Sequence, residues 1–157
     1  MKFWIDRCLL GLLVLLFVPP VASAAGPYLS PVDIAVDSET SMAYIALGDS
    51  PEFLWVDMVG QEVVQRLPLP GAASGLAVDE PSDRLAVVGG HANGWCAIFR
   101  KDGLPITEFA AGFSPVAPVF IDEGRLLAVG QRFTDEVGFY RVSDGQRLHT
   151  VPVSREP

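Results

Sequence analysis

Apolar residues in this chain come in short runs of four to eight, each closed off by turn-forming residues. Three stretches share one grammar. Each opens on an apolar run that ends in an acid: Asp33-Ile34-Ala35-Val36-Asp37, Gly75-Leu76-Ala77-Val78-Asp79 and Pro118-Val119-Phe120-Ile121-Asp122. A polar turn follows, then a second run: Met42 to Leu47, Leu85 to Val88, Leu126 to Val129. A third run comes next: Phe53 to Asp57, Trp95 to Phe99, Val137 to Tyr140. Gly60, Gly103 and Gly145 mark the turns after it, and a fourth run closes each unit: Glu62 to Leu69, Leu104 to Phe109, Gln146 to Val153. The acids step by 42 and 43 residues and the glycines by 43 and 42. Two separate landmarks therefore give one period.

Runs this short, rich in Val, Ile, Leu and aromatics, predict strands. Asp-Gly turns predict tight antiparallel hairpins. Four antiparallel strands in a unit of about 42 residues is the pattern of a β-propeller blade. The chain is therefore expected to be all-β, with three four-stranded antiparallel blades of an incomplete propeller. Blade 1 covers residues 31–72, blade 2 residues 73–115 and blade 3 residues 116–157. The Ala-rich first strands are expected innermost, where small side chains fit the crowded hub. Asp37, Asp79 and Asp122 are read as strand-end turn formers that accept backbone N–H bonds.

Residues 1–24 break this pattern. Lys2 and Arg7 precede an 11-residue apolar run from Cys8 to Val18, Pro19-Pro20 ends it, and Ala22-Ser23-Ala24 supplies small residues for cleavage. This is the tripartite secretory signal. The apolar run would span about 16 Å as a helix, short of the roughly 30 Å of a hydrocarbon core. Export to the periplasm or the exterior is expected, with 25–30 as a short lead-in and no membrane span in the mature chain. After cleavage Cys96 is the one cysteine left, so an intramolecular disulfide is excluded. Its setting, Trp95-Cys96-Ala97-Ile98-Phe99, reads as core.

The three units resemble the YVTN-type β-propeller repeat of exported bacterial and archaeal proteins. Pro31-Val32-Asp33-Ile34-Ala35-Val36-Asp37, Ala43-Tyr44-Ile45-Ala46 and Leu54-Trp55-Val56-Asp57 carry the likeness in unit one. Arg125-Leu126-Leu127-Ala128-Val129 and Arg132-Phe133 carry it in unit three. The second runs lack the family's Thr-Asn end, and Arg100 and Arg141 replace the acid of the third strand. NHL-type repeats share much of this grammar. Closed propellers use typically four to eight blades, and this chain carries three. Three readings stay open: the N-terminal part of a larger propeller, through truncation or an incomplete frame; a unit completed by a second copy or another partner; an open stack of three blades.

The net charge of −8 argues against nucleic acid or an anionic membrane as partner. His91 and His149 stand at different points of their units, so no metal set is expected, and no Cys-x-x-Cys-His haem motif is present. Gly48-Asp49-Ser50 lacks the frame of a nucleophile elbow. The Gly-rich stretch 89–94 fits neither a phosphate-binding nor a dinucleotide-binding pattern. Asp135 and Glu136 are adjacent, so on an extended chain they point to opposite faces. No cofactor is expected. Function is expected on the loops that gather at one end of the strands, where Asp49, His91 and Arg132 take comparable places as candidate ligand-face residues. The expected activity is an exported, non-catalytic binding module for a protein or small-molecule ligand. The alternative is part of a propeller-lactonase-type hydrolase whose active site is not in this chain.

Overall fold

The computed structural model describes residues 29–153; the expected leader and most of the lead-in lie outside them. Each run of the repeat is a strand. The first sheet holds β1 (Pro31–Asp37), β2 (Met42–Leu47), β3 (Glu52–Asp57) and β4 (Glu62–Pro68). The second holds β5 (Ala73–Asp79), β6 (Arg84–Gly89), β7 (Gly94–Arg100) and β8 (Pro105–Gly112). The third holds β9 (Pro115–Ile121), β10 (Leu126–Gln131), β11 (Glu136–Arg141) and β12 (Arg147–Pro152). In each sheet the strands lie side by side in chain order, paired antiparallel. Branched and aromatic side chains favour the pleated surface. The turns sit where short polar residues accept left-handed backbone, as at Ser41 (φ 57°) and Asp83 (φ 52°).

The repeat extends to its irregularities. Val64 falls between the pairs Trp55–Gln65 and Val56–Val63, and so has no partner of its own. Ile106 and Leu148 stand unpaired in the same way in the other two sheets. Such bulges increase the twist of the outer strands. The three bulged residues lie 42 apart, so the twist is written into the period.

The sheets stack face to face. Strand β5 contacts β1 on one side and β9 on the other, so the first strands are innermost. Alternation gives each sheet one face toward the preceding sheet and one toward the next. Between sheets 1 and 2, Tyr44, Phe53 and Trp55 meet Leu85, Val87 and Phe99. Tyr44 and Trp55 pack edge to face at 5.6 Å. Between sheets 2 and 3, Ala86, Val88, Cys96 and Ile98 meet Leu127, Val129 and Tyr140. Sheet 2 is covered on both sides, so β6 and β7 read as continuous apolar runs instead of alternating ones. Burial pushes the Cys96 thiol up, leaving it an inert part of this core.

Polar latches cross the first junction. Leu76 N–H donates to Asp33 Oδ2 at 2.9 Å. Lys101 donates to Asp37 Oδ2 at 2.7 Å, with Asp37 fully buried. Asp37 also accepts from the backbone of Glu39 and Thr40, which is the turn-forming role expected of it. The Lys101 hydrogen bond, against the opposing effect of burial, holds the Asp37 carboxyl down at about 2. Burial works against the Lys101 charge, but the bond to Asp37 outweighs it and the ammonium sits above its usual value.

The second junction is built differently. Met58, Lys101 and Val142 are equivalent: each donates its N–H to the last residue of the first hairpin turn in its own sheet. Val142 therefore stands where Lys101 stood, and Asp79 takes its own neighbour Arg84 as partner, 3.4 Å away. Gly124 closes over that pair; a Cβ there would lie 1.9 Å from the Asp79 carboxylate.

The third acid is a correction to the sequence reading. Asp37 pairs with Met42 and Asp79 with Arg84, but the residue pairing with Leu126 is Ile121. Asp122 lies one position further on. It sits in a turn where residues 122, 123 and 124 all have positive φ, and it is ion-paired with Arg125 on the surface. The 43-residue step hid a one-residue slip.

The buried pair yields a pH signature. Asp37 has a folded value of about 2 against 3.8 for the free group. The difference corresponds to about 2.5 kcal/mol of stability, fully present above pH 4 and lost as pH falls from about 4 to 2. Lys101→Met should cost about 3 kcal/mol at pH 7, because it leaves a buried carboxylate unpaired. The deficit should narrow below pH 4, where Asp37 takes up a proton. Chemical denaturation of both proteins across that range checks the loss and its direction.

Candidate functional site

The loops between second and third strands lie at one end of the stack, together with the links between sheets. Asp49 falls in the β2–β3 loop, His91 in the β6–β7 loop and Arg132 in the β10–β11 turn. The first and last of these loops are anchored alike. Gly48 N–H donates to the Ser30 carbonyl at 2.9 Å, and Arg132 N–H to that of Ser114 at 3.2 Å. The middle loop is one residue longer: seven positions separate Ala46 from Phe53 and Gly130 from Val137, but eight separate Val88 from Cys96.

The structure brings two of the three candidates together. Ser114 N–H donates to the His91 carbonyl at 2.7 Å, and the Ser114 carbonyl accepts from Arg132. Ser114 is buried and holds left-handed backbone at φ 46°. The His91 ring lies nearly parallel to Phe133, with centroids 5.6 Å apart. Phe113 meets both rings edge-on, at 5.0 Å and 6.1 Å. The result is an exposed aromatic trio beside Arg132, with Phe133 62% exposed. Asp49 plays another part: its Oδ1 accepts from the Ser30 N–H at 3.0 Å and ties the start of the first sheet to the loop.

Gln131 holds the trio in place. It is buried; its Oε1 accepts from Phe113 N–H at 3.5 Å and from Thr134 Oγ1 at 3.3 Å, and its Nε2 donates to the Tyr140 hydroxyl at 3.5 Å. Gly112 (φ 90°) lies against this amide, where a Cβ would come within 2.5 Å of Nε2. One buried side chain thus binds the link into sheet 3 to the turn that carries Phe133. Sequence reasoning picked out His91 and Arg132 but missed Phe113, Ser114 and Gln131. Phe133 appeared in it only as part of the family likeness.

A hollow of about 420 Å³ opens at the opposite end, between sheets 1 and 2. Met42, Tyr44 and Trp55 floor it, and Asp83, Arg100 and Lys101 stand at its rim. These charges are paired with one another: Lys101 with Asp37 and Asp83, Arg100 with Asp102. The rim is a lock between sheets, which leaves the aromatic trio as the candidate site.

No family model and no curated protein matches the sequence. Solved structures do match in fold. Hydrazine synthase of Kuenenia stuttgartiensis gives a TM-score of 0.70 at 13% identity, over 84% of this chain and 38% of that one. U3-55K gives 0.69 at 13% identity, over 81% of this chain and 40% of its own. The WD40 repeats of RRP9 give the same values. The chain spans about two-fifths of the length of these proteins. At such identities the likeness establishes the fold: the three sheets are blades of a β-propeller.

Gln131 and Phe133 should separate support from contact. Gln131→Leu strands the Phe113 N–H and should lower stability by about 2 kcal/mol. Phe133→Ala removes an exposed ring and should stay within about 0.5 kcal/mol of the parent. Thermal melting of the two variants tests the assignment.

Proposed function

We propose that this chain is an exported, non-catalytic β-propeller module of the YVTN type, which binds a protein partner through the loop face around Phe133. One observation carries the reading: a large exposed aromatic is held on a rigid frame, flanked by His91, Phe113 and Arg132. Ordering a flexible loop on binding costs free energy, and this loop is already ordered by Gln131 and Ser114. Aromatic and Arg side chains are the residues that most often anchor protein interfaces. A protein ligand is favoured over a small molecule because the trio stands out from the surface instead of lining a cleft. The paired charges at the opposite rim support a role without catalysis. The leader supports export.

A photo-reactive residue placed at position 92, beside the trio, should cross-link the chain to one partner in the exporting cell. Phe133→Ala and Arg132→Glu should each reduce that product by at least about tenfold, with unchanged melting temperature. Equal cross-linking in all three proteins would refute the assignment of the face. The exported protein should begin at Ala25 on N-terminal sequencing; retention of residues 1–24 would refute export by this leader.

A further inference from the structure

Blades 1 and 3 each keep one apolar face that no other blade covers. On blade 3 it is the side turned away from blade 2, with Val119, Leu126, Ala128, Val137 and Phe139 in register. Val119 there is 54% exposed. On blade 1 it is the opposite side, where Ile34 and Val36 are 56% and 47% exposed. The two are opposite halves of one kind of junction, the kind that already joins blade 1 to blade 2 and blade 2 to blade 3.

We propose that blade 1 of a second copy of this chain docks on this face of blade 3, and that two copies joined so at both ends close a six-bladed ring. Two sets of equivalent positions carry the inference. The first is the buried latch. At the first junction it is Asp37 with Lys101, a charge against a charge. The same positions in a junction of blade 3 with a second blade 1 hold Ile121 and Met58. Both ends of the latch have lost their charge, and Met58 is 41% exposed in the single chain. An acid at 121 or a lysine at 58 alone would leave a buried ion unpaired.

The second set lies at the hub. At the first junction Asp33 accepts the Leu76 N–H. At the second its equivalent is Gly75, and Gly75 packs on Pro118, which has no N–H to satisfy. In the junction between copies the pair becomes Ala117 with Ile34. Ala117 offers no side-chain acceptor, and the Ile34 N–H is already taken by Asp33 Oδ1 at 2.9 Å. At both positions a second copy supplies what the open face requires. Six blades fall within the range of closed propellers, and closure at two copies leaves no free face to grow a filament. The proposal is independent of the loop-face reading, since it uses the sides of the blades and not their loops.

Light scattering with sedimentation equilibrium, on the chain lacking residues 1–24, tests it. The expected mass is that of two chains, dissociating on dilution. Ile121→Asp should weaken the dimer by at least about tenfold, because an acid there meets Met58 of the second copy. Ile121→Asp with Met58→Lys in one chain should restore it, since the pair then repeats Asp37 and Lys101. Far-UV circular dichroism confirms the fold of each variant; should Ile121→Asp not fold, Val119→Lys on the same face takes its place. A single-chain mass up to about 100 μM, growth beyond two copies, or a dimer indifferent to these substitutions would overturn the proposal.

Discussion

Everything in this molecule depends on covering both faces of a twisted four-stranded sheet. A single blade is apolar on each side, and a sheet left so in water associates with whatever it meets. Stacking solves this for blade 2, whose middle strands are buried on both faces. The same constraint sets the composition of the strands. Alternating apolar and polar residues would suit a one-sided sheet; the near-continuous runs from Arg84 to Gly89 and from Gly94 to Arg100 suit one packed on both sides. It also fixes where the chemistry lies. With blade faces used for packing, the loop ends and the junction edges are left for polar groups.

Those polar groups divide into two kinds of work. Between blades they act as latches, and the latches are not copies of one another. Asp37 takes its cation from the next blade; Asp79 takes Arg84 from its own hairpin; Ile121 takes none. Each junction thereby gains an identity of its own, which apolar packing alone would not give three near-identical sheets. On the loop face the polar groups position instead. Gln131 and Ser114 hold the backbone so that Phe113, Phe133 and His91 meet, and the aromatic rings are then free to face outward.

The strands were legible in the sequence because their signal is local. Run length, branched side chains and turn residues locate them one at a time, and the 42-residue spacing shows that the units are alike. The slip at Asp122 shows the limit of that method. An Asp one position late looks like the same Asp, and only pairing with Leu126 reveals that Ile121 holds the register. The candidate site was partly legible for the same reason. His91 and Arg132 stand out as charged or titratable residues in equivalent loops. Phe113 and Phe133 read as ordinary apolar residues until three dimensions place them beside His91.

The sequence by itself determined the strand grammar, the number of units, their order and the inward place of the Ala-rich strands. Nearest neighbours along the chain are enough to specify these. Tertiary structure decided which distant groups become partners. Asp37 and Lys101 are separated by 64 residues, and Ser114 joins His91 to Arg132 from the link between blades. Such pairings depend on how one sheet is set against the next, a relation with no trace in the spacing along the chain.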